Sequence, residues 1–156
     1  LIEDVHLMAL LEIPIFKLAH APKDLPKYAT PGSAGMDIRA AISEPWTLAP
    51  FERRLIPTGL IMHLPEGYEC QVRPRSGLSI KHGITLINCV GTIDSDYRNE
   101  LMVPLVNLSQ ESYTLQPLER IAQLVIAPVM QVQLTEAKET ALVAGRSGGF
   151  GSTGQN

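Results

Sequence analysis

Ile87-Asn88-Cys89-Val90-Gly91-Thr92-Ile93-Asp94-Ser95-Asp96-Tyr97-Arg98-Asn99-Glu100-Leu101 is the stretch from which the fold is read. Apolar runs flank it at 84–87 and 101–106, and the polar residues between them are turn formers. That pattern predicts a β-hairpin with an unusually rich connection. In extended chain Asp94 and Asp96 point to one face and Tyr97 to the other, because side chains alternate with a period of two. Taken alone, the same residues also describe a solvated turn, since two aspartates and an asparagine shape loops readily and short motifs often match by accident.

Outward from this stretch, short apolar runs recur at 13–18, 36–40, 46–49, 54–64, 68–72, 84–90, 101–108, 113–115 and 121–132, with turn signals between them. Many short strands at this spacing predict an all-β sandwich or barrel. The twelve prolines, Pro57, Pro104 and Pro128 inside apolar runs, argue against long helices and suit strand edges and bulges. Residues 76–82 are the one stretch suited to a helical turn, ended by Gly83. With 156 residues the chain is long enough for one domain with its own core. Aromatics make up only 5 %, so that core must be aliphatic. The expected organisation is a single β domain over 1–134, with 1–11 as an N-terminal extension, then a tether and glycine-rich tail over 135–156.

The net charge of −3 disfavours a general nucleic-acid binder, which carries a basic excess, so an anionic ligand would need positive charge supplied locally. Cys70 and Cys89 both lie in apolar, strand-like runs and read as buried free thiols in a reducing compartment. Neither they nor His6, His20, His63 and His82 show metal-ligand spacing. No run reaches the length of a membrane span and no basic leader with a cleavage site opens the chain. The expectation is a cytoplasmic protein with neither membrane nor nucleic acid as partner.

Five motifs occur in order: Ala34-Gly35-Met36-Asp37-Ile38-Arg39-Ala40, then 73–84 beginning Arg73-Pro74-Arg75-Ser76-Gly77, then Gly91-Thr92-Ile93-Asp94-Ser95-Asp96-Tyr97, then Arg120-Ile121-Ala122-Gln123-Leu124, and Gly148-Gly149-Phe150-Gly151-Ser152-Thr153-Gly154. Together they resemble the five motifs of the homotrimeric dUTP pyrophosphatases, over nearly the whole chain from about Ile13 to Gly154. The resemblance implies a jelly-roll β fold, a homotrimer with active sites between subunits, a tail that closes over a neighbour's site, and magnesium-dependent hydrolysis of dUTP to dUMP and pyrophosphate, supplying dUMP for thymidylate synthesis.

The roles divide between residue chemistry and resemblance. Arg75, Ser76 and Gly77 offer a charged fork, a hydroxyl and a backbone amide to phosphate oxygens. The resemblance places Ser76 beside the oxygen bridging the α and β phosphates. A water attacking in line at phosphorus needs a carboxylate to orient and deprotonate it, and the resemblance makes Asp94 that base, acting at the α phosphorus. Asp96 reads as structural, serving hairpin amides. Backbone groups at a hairpin tip can match the acceptor–donor–acceptor edge of uracil, and a site built on such bonds rejects cytosine, whose pattern leaves buried groups unpaired. Thr92, Ile93 and Met102 match positions facing the nucleoside, Asn88 the side chain beside the base, and Tyr97 the aromatic under the deoxyribose that leaves no room for a 2′-hydroxyl. Asp37 matches a residue that organises magnesium, through water where the phosphates hold the ion. Gln123 is expected near the phosphates; Arg120 and Gln123 also read as a surface pair at a strand start.

In the tail, Phe150 is expected to stack over uracil, and Ser152 and Thr153 to donate to the terminal phosphate. Gly149-Phe150-Gly151-Ser152-Thr153-Gly154 also satisfies the glycine pattern of dinucleotide-binding folds, but only two residues follow it, where that motif needs a helix. Arg146 stands one position nearer Phe150 than the family pattern has it, which leaves its phosphate contact open. A dCTP deaminase of the same fold would lack this tail and the Asp-x-Asp-Tyr segment. A non-catalytic nucleotide sensor would be expected to have lost Asp94, Tyr97 or Phe150.

Overall fold

The computed structural model describes residues 10–136. Within them the order is β1 (Ile15–Lys17), β2 (Met36–Arg39), β3 (Trp46–Leu48), β4 (Arg53–Pro57), β5 (Leu60–Met62), β6 (Tyr68–Pro74), α1 (Ser76–His82), β7 (Ile84–Leu86), β8 (Gly91–Ile93), β9 (Met102–Asn107), β10 (Tyr113–Leu115) and β11 (Arg120–Pro128). The fold is all-β with one short helix, as the turn-punctuated apolar runs predict. Strands join in a four-stranded sheet β2-β11-β6-β8, a three-stranded sheet β4-β9-β7, and the pairs β1-β5 and β10-β3, every pairing antiparallel.

The inward residues of these sheets meet in one cluster that includes Ile38, Leu124 and Val72 from the larger sheet and Ile56, Val103, Leu105 and Ile84 from the smaller. The core is aliphatic, as composition requires; Trp46 and Tyr113 only pack against its edge. Each fully buried Leu or Ile contributes about 1.5–3 kcal/mol over leaving it exposed. Asn107 is fully buried. Its amide donates to the carbonyls of Leu48 and Glu111, and its oxygen accepts from Ser109, so no polar capacity is stranded.

The hairpin forms, but its connection is not a plain turn. β7 and β9 pair with Ile84 opposite Asn107, and Ile87 N–H extends the ladder to the Pro104 carbonyl at 3.0 Å. Between them Gly91–Ile93 leaves for the other sheet and pairs with β6, setting Thr92 opposite Gln71 and Ile93 opposite Cys70. The connection therefore ties the two main sheets together.

Other expectations need correction. The run at 54–64 breaks at Thr58-Gly59, where Gly59 takes φ 71°, into β4 and β5. β11 stops at Pro128 rather than 132 because its partner β6 begins only at Tyr68, after the turn at Gly67 (φ 83°); Val129 N–H makes the last bond, to the Gly67 carbonyl at 2.8 Å. Pro104 lies in the middle strand of its sheet, not at an edge. It is tolerated because its neighbour on one side is Ile87, already past the end of β7. Cys70 is buried, but Cys89, in the connection, is exposed. Asp94, Ser95, Asp96 and Tyr97 form a turn, Tyr97 N–H donating to the Asp94 carbonyl at 3.2 Å, so the alternating-face argument does not apply there.

Candidate active site

At one edge of the four-stranded sheet a charged corner gathers around Asp37 on β2. Arg75 Nε donates to its Oδ1 at 2.8 Å and Arg120 Nη1 to its Oδ2 at 3.1 Å. Arg75 Nη1 also reaches the Arg120 carbonyl at 3.3 Å. The pairing register of β11 with β2 shifts between Arg120 and Ala122, so that Ile121 and Ala122 are both buried while Arg120 stays exposed. Such a bulge re-aims a side chain, and here it accompanies Arg120 on Asp37. The expected surface pair of Arg120 and Gln123 is thus two different arrangements. Arg120 joins the ion-paired corner, while Gln123 Nε2 donates to the Pro74 carbonyl at 3.0 Å. Gly35 makes room for that amide: a Cβ there would lie 2.4 Å from Gln123 Oε1.

Arg75 is the N-cap of α1, whose first turn carries Ser76 and Gly77. No side chain caps it, so the opening amides stay available to an acceptor. Its far end is closed by Gly83 in the left-handed conformation, φ 66°. His82 stacks at a tilt on Tyr113, ring centroids 5.0 Å apart. Burial, and then the bond from the Tyr113 hydroxyl to the Glu119 carboxylate, push the phenol's pKa up, against an opposing pull from Arg75.

At the opposite edge lies Asp94, directly after β8. Its carboxylate is exposed and makes no hydrogen bond or ion pair with any described residue. With Thr92, Ser95, Asp96, Arg98, Tyr68 and Glu69 it lines a cavity of about 970 Å³. Asp96 accepts no hydrogen bond from a described residue, so its expected service to hairpin amides is not seen. Tyr97 is half-buried and donates through its hydroxyl to the Glu100 carbonyl at 2.9 Å. The Asn88 amide nitrogen sits 3.2 Å from where a Cβ on Gly91 would be, folding its side chain back over β8. Ile93 and Met102 are half-buried at the start and end of the same connection.

The chain does not bring these two groups together. Asp94 follows Ile93, which pairs with Cys70, whereas Arg75 lies at the other end of β6. At about 3.3 Å per residue along a strand, roughly 20 Å separates them. Asp37 and Arg120 line a different cavity of about 260 Å³ with Lys27 and Asp24. No three His, Cys, Asp or Glu side chains among the described residues gather to hold a metal, and both Asp37 oxygens already face guanidiniums. The donor set does not form a protein cage for magnesium. Arg146, Phe150, Ser152 and Thr153 lie outside the described residues.

Sequence reasoning missed Glu100, whose Oε1 accepts from Gly59 N–H at 2.7 Å and lies 2.8 Å from His20 Nε2. Only the glycine inside an apolar run hinted that something approaches the backbone at 59.

An arginine-clamped aspartate and a separate aspartate without a described partner thus stand at opposite edges of one sheet in an all-β fold. A family model described as dUTPase matches residues 21–154, and the chain belongs to that family. The deoxyuridine 5'-triphosphate nucleotidohydrolase of Finegoldia magna is 52 % identical over 144 residues, spanning 92 % of this chain and 99 % of the relative. The structure of a Staphylococcus bacteriophage 80alpha dUTPase variant with dUpNHpp is similar at a TM-score of 0.81 and 28 % identity, covering 92 % of this chain and 99 % of that one. A phage phi11 dUTPase of S. aureus, which holds a structural Mg(II) ion, shares the fold at a TM-score of 0.74 and 24 % identity, covering 84 % and 99 %. Among the described residues, no helix is long and apolar enough to cross a membrane.

Proposed function

We propose that this chain hydrolyses dUTP to dUMP and pyrophosphate, with water attacking in line at the α phosphorus. The observation that carries the mechanism is Asp94: a carboxylate left without a described partner, on a cavity, in a chain whose other candidate carboxylate, Asp37, is held between two guanidiniums. Asp94 orients that water and takes its proton. Arg75, held by Asp37, binds the phosphates. Ser76 and the Gly77 amide serve the oxygen leaving with pyrophosphate, and Gln123 supports the corner. Thr92, Ile93, Asn88 and Met102 hold the uracil, and Tyr97 packs under the deoxyribose. Asp37 would take part in holding magnesium through water rather than directly, and the ion would supply charge neutralisation at the phosphates.

The roughly 20 Å between Arg75 and Asp94 exceeds what one triphosphate bridges between a phosphate clamp and an attacking water. This supports a site shared between copies of the chain, in a homotrimer, with residues 135–156 as tether and lid: Phe150 over the base, and Arg146, Ser152 and Thr153 at the phosphates. The free thiols of Cys70 and Cys89 suit work in the cytoplasm.

The test is pyrophosphate release from dUTP, dCTP and UTP with magnesium, beside a sedimentation measurement. Release confined to dUTP from a trimer is expected. No release from dUTP, or equal release from all three, overturns the activity, and a fully active monomer overturns the shared site. Deleting 145–156 should cut turnover by about a hundredfold while leaving the trimer assembled.

A further inference from the structure

We propose that Glu100 is a positioning residue that fixes Tyr97, and through it sets discrimination between deoxyribo- and ribonucleotides. This rests on the reading of Tyr97 as the residue beneath the deoxyribose. The phenol's only described hydrogen-bond partner is the Glu100 carbonyl, so the ring's placement depends on where that peptide is held.

Three tethers hold it, and all lead to one place in the body of the fold. Glu100 Oε1 accepts from the Gly59 amide at 2.7 Å, Leu101 N–H donates to the Leu60 carbonyl at 2.8 Å, and the buried Thr58 hydroxyl donates to the Leu101 carbonyl at 2.6 Å. His20 Nε2, 2.8 Å from the same Glu100 oxygen, closes the carboxylate from outside. The receiving junction between β4 and β5 is rigid. Gly59 has φ 71°, its carbonyl accepts from Leu18 N–H at 2.8 Å, and a Cβ there would lie 2.4 Å from the Ala21 Cα. Leu101 is fixed through its backbone, which any side chain would permit. Glu100 is fixed through its carboxylate, so residue identity matters there. Arg98 Nη1, on the carbonyls of Ser95 and Tyr97, tightens the turn from the solvent side without touching the phenol.

The carboxylate acts as an acceptor, a duty that a glutamine oxygen can perform. Steady-state kinetics with dUTP and UTP, beside thermal melting, are therefore measured for Glu100→Ala, Glu100→Gln, Tyr97→Phe and Tyr97→Ala. Glu100→Ala is expected to lower the dUTP-to-UTP ratio of kcat/KM by about tenfold, chiefly through a higher KM for dUTP, as for the loss of one part-buried hydrogen bond. Glu100→Gln should restore the ratio to within about threefold, and Tyr97→Phe, which removes the phenol's donor alone, should lower it by about fivefold. If Tyr97→Ala collapses the ratio but Glu100→Ala and Tyr97→Phe leave it intact, the positioning role is wrong. An equal loss for both nucleotides that follows the melting temperature overturns it too. If Tyr97→Ala also leaves the ratio unchanged, the reading of Tyr97 itself falls. Should Glu100→Ala not fold, Tyr97→Phe decides alone.

Discussion

The two edges of the β2-β11-β6-β8 sheet are built on opposite plans. At the β2 edge each oxygen of Asp37 already accepts from a guanidinium, and Arg75 is further braced on the Arg120 carbonyl. At the β8 edge Asp94 has no described partner and faces a cavity of about 970 Å³. A carboxylate oriented by two guanidiniums is fixed in place with part of its acceptor capacity spent, whereas one without partners has all of it open to a water. Groups that only bind gain from being held beforehand, because the entropy of ordering them is not charged to the reaction step. A group that must accept a proton has to stay free of a fixed cation. On the proposed reading the same sheet separates binding from proton transfer, and a second copy of the chain would supply the missing edge.

The largest effect should come from Asp94→Asn. It removes the base but little binding surface, so kcat is expected to fall by about 10²–10⁴-fold, with the calorimetric affinity for dUTP within about threefold of wild type. Asp37→Ala should act on the other half. It leaves two guanidiniums without their shared anchor and is expected to raise KM by about tenfold, with a smaller change in kcat. If the two variants give the same pattern, kcat falling and KM holding in both, the contrast between the edges has no functional meaning.

Much of this was legible in the sequence because local rules governed it. Short apolar runs, proline punctuation and Gly83 after 76–82 placed the strands and the helix within a few residues of their observed bounds. What escaped was set by distant partners. Asp37 meets Arg120 across 83 positions, and Glu100 meets His20 across 80. No spacing rule reaches that far. The connection misled for another reason: Gly91–Ile93 is short and flanked by turn formers, so local signals read it as part of a loop. It is a strand because β6 offers an edge, a tertiary fact. Cys89 was misread as buried because an apolar neighbourhood in sequence does not fix which side of a turn a residue takes.

A smaller effect sharpens the clamp half of the comparison. Gly35→Ala places a methyl where Gln123 Oε1 now lies, so the amide must swing away and give up its bond to Pro74. The expected cost is about 1 kcal/mol of stability by thermal melting. If Gln123 supports the phosphate corner, dUTP affinity should also fall by about threefold. Lost stability with unchanged affinity would make Gln123 a structural residue only.

The smallest effect lies within the Asp94 half, where two thiols distinguish the sheet from the connection that leads to it. Cys70 sits in β6, between β8 and β11, where burial, and secondarily the Glu69 charge, raise its pKa from 9.0 to about 12. Cys89 is exposed in the connection. A thiol reagent at pH 8 should therefore modify one cysteine per native chain, Cys89, and two after denaturation, because the thiolate is the reacting form and must be reachable. The sign of the pH dependence follows from the raised value. The folded chain keeps the Cys70 proton where the unfolded chain has lost it, so this contribution to stability is intact below pH 9.0 and is lost as pH rises towards about 12. Cys70→Val should remove that part of the alkaline destabilisation in pH-dependent denaturation curves. Equal labelling rates for both cysteines in the native protein would mean that the sheet opens at Cys70, opposite Ile93, as readily as the exposed connection does.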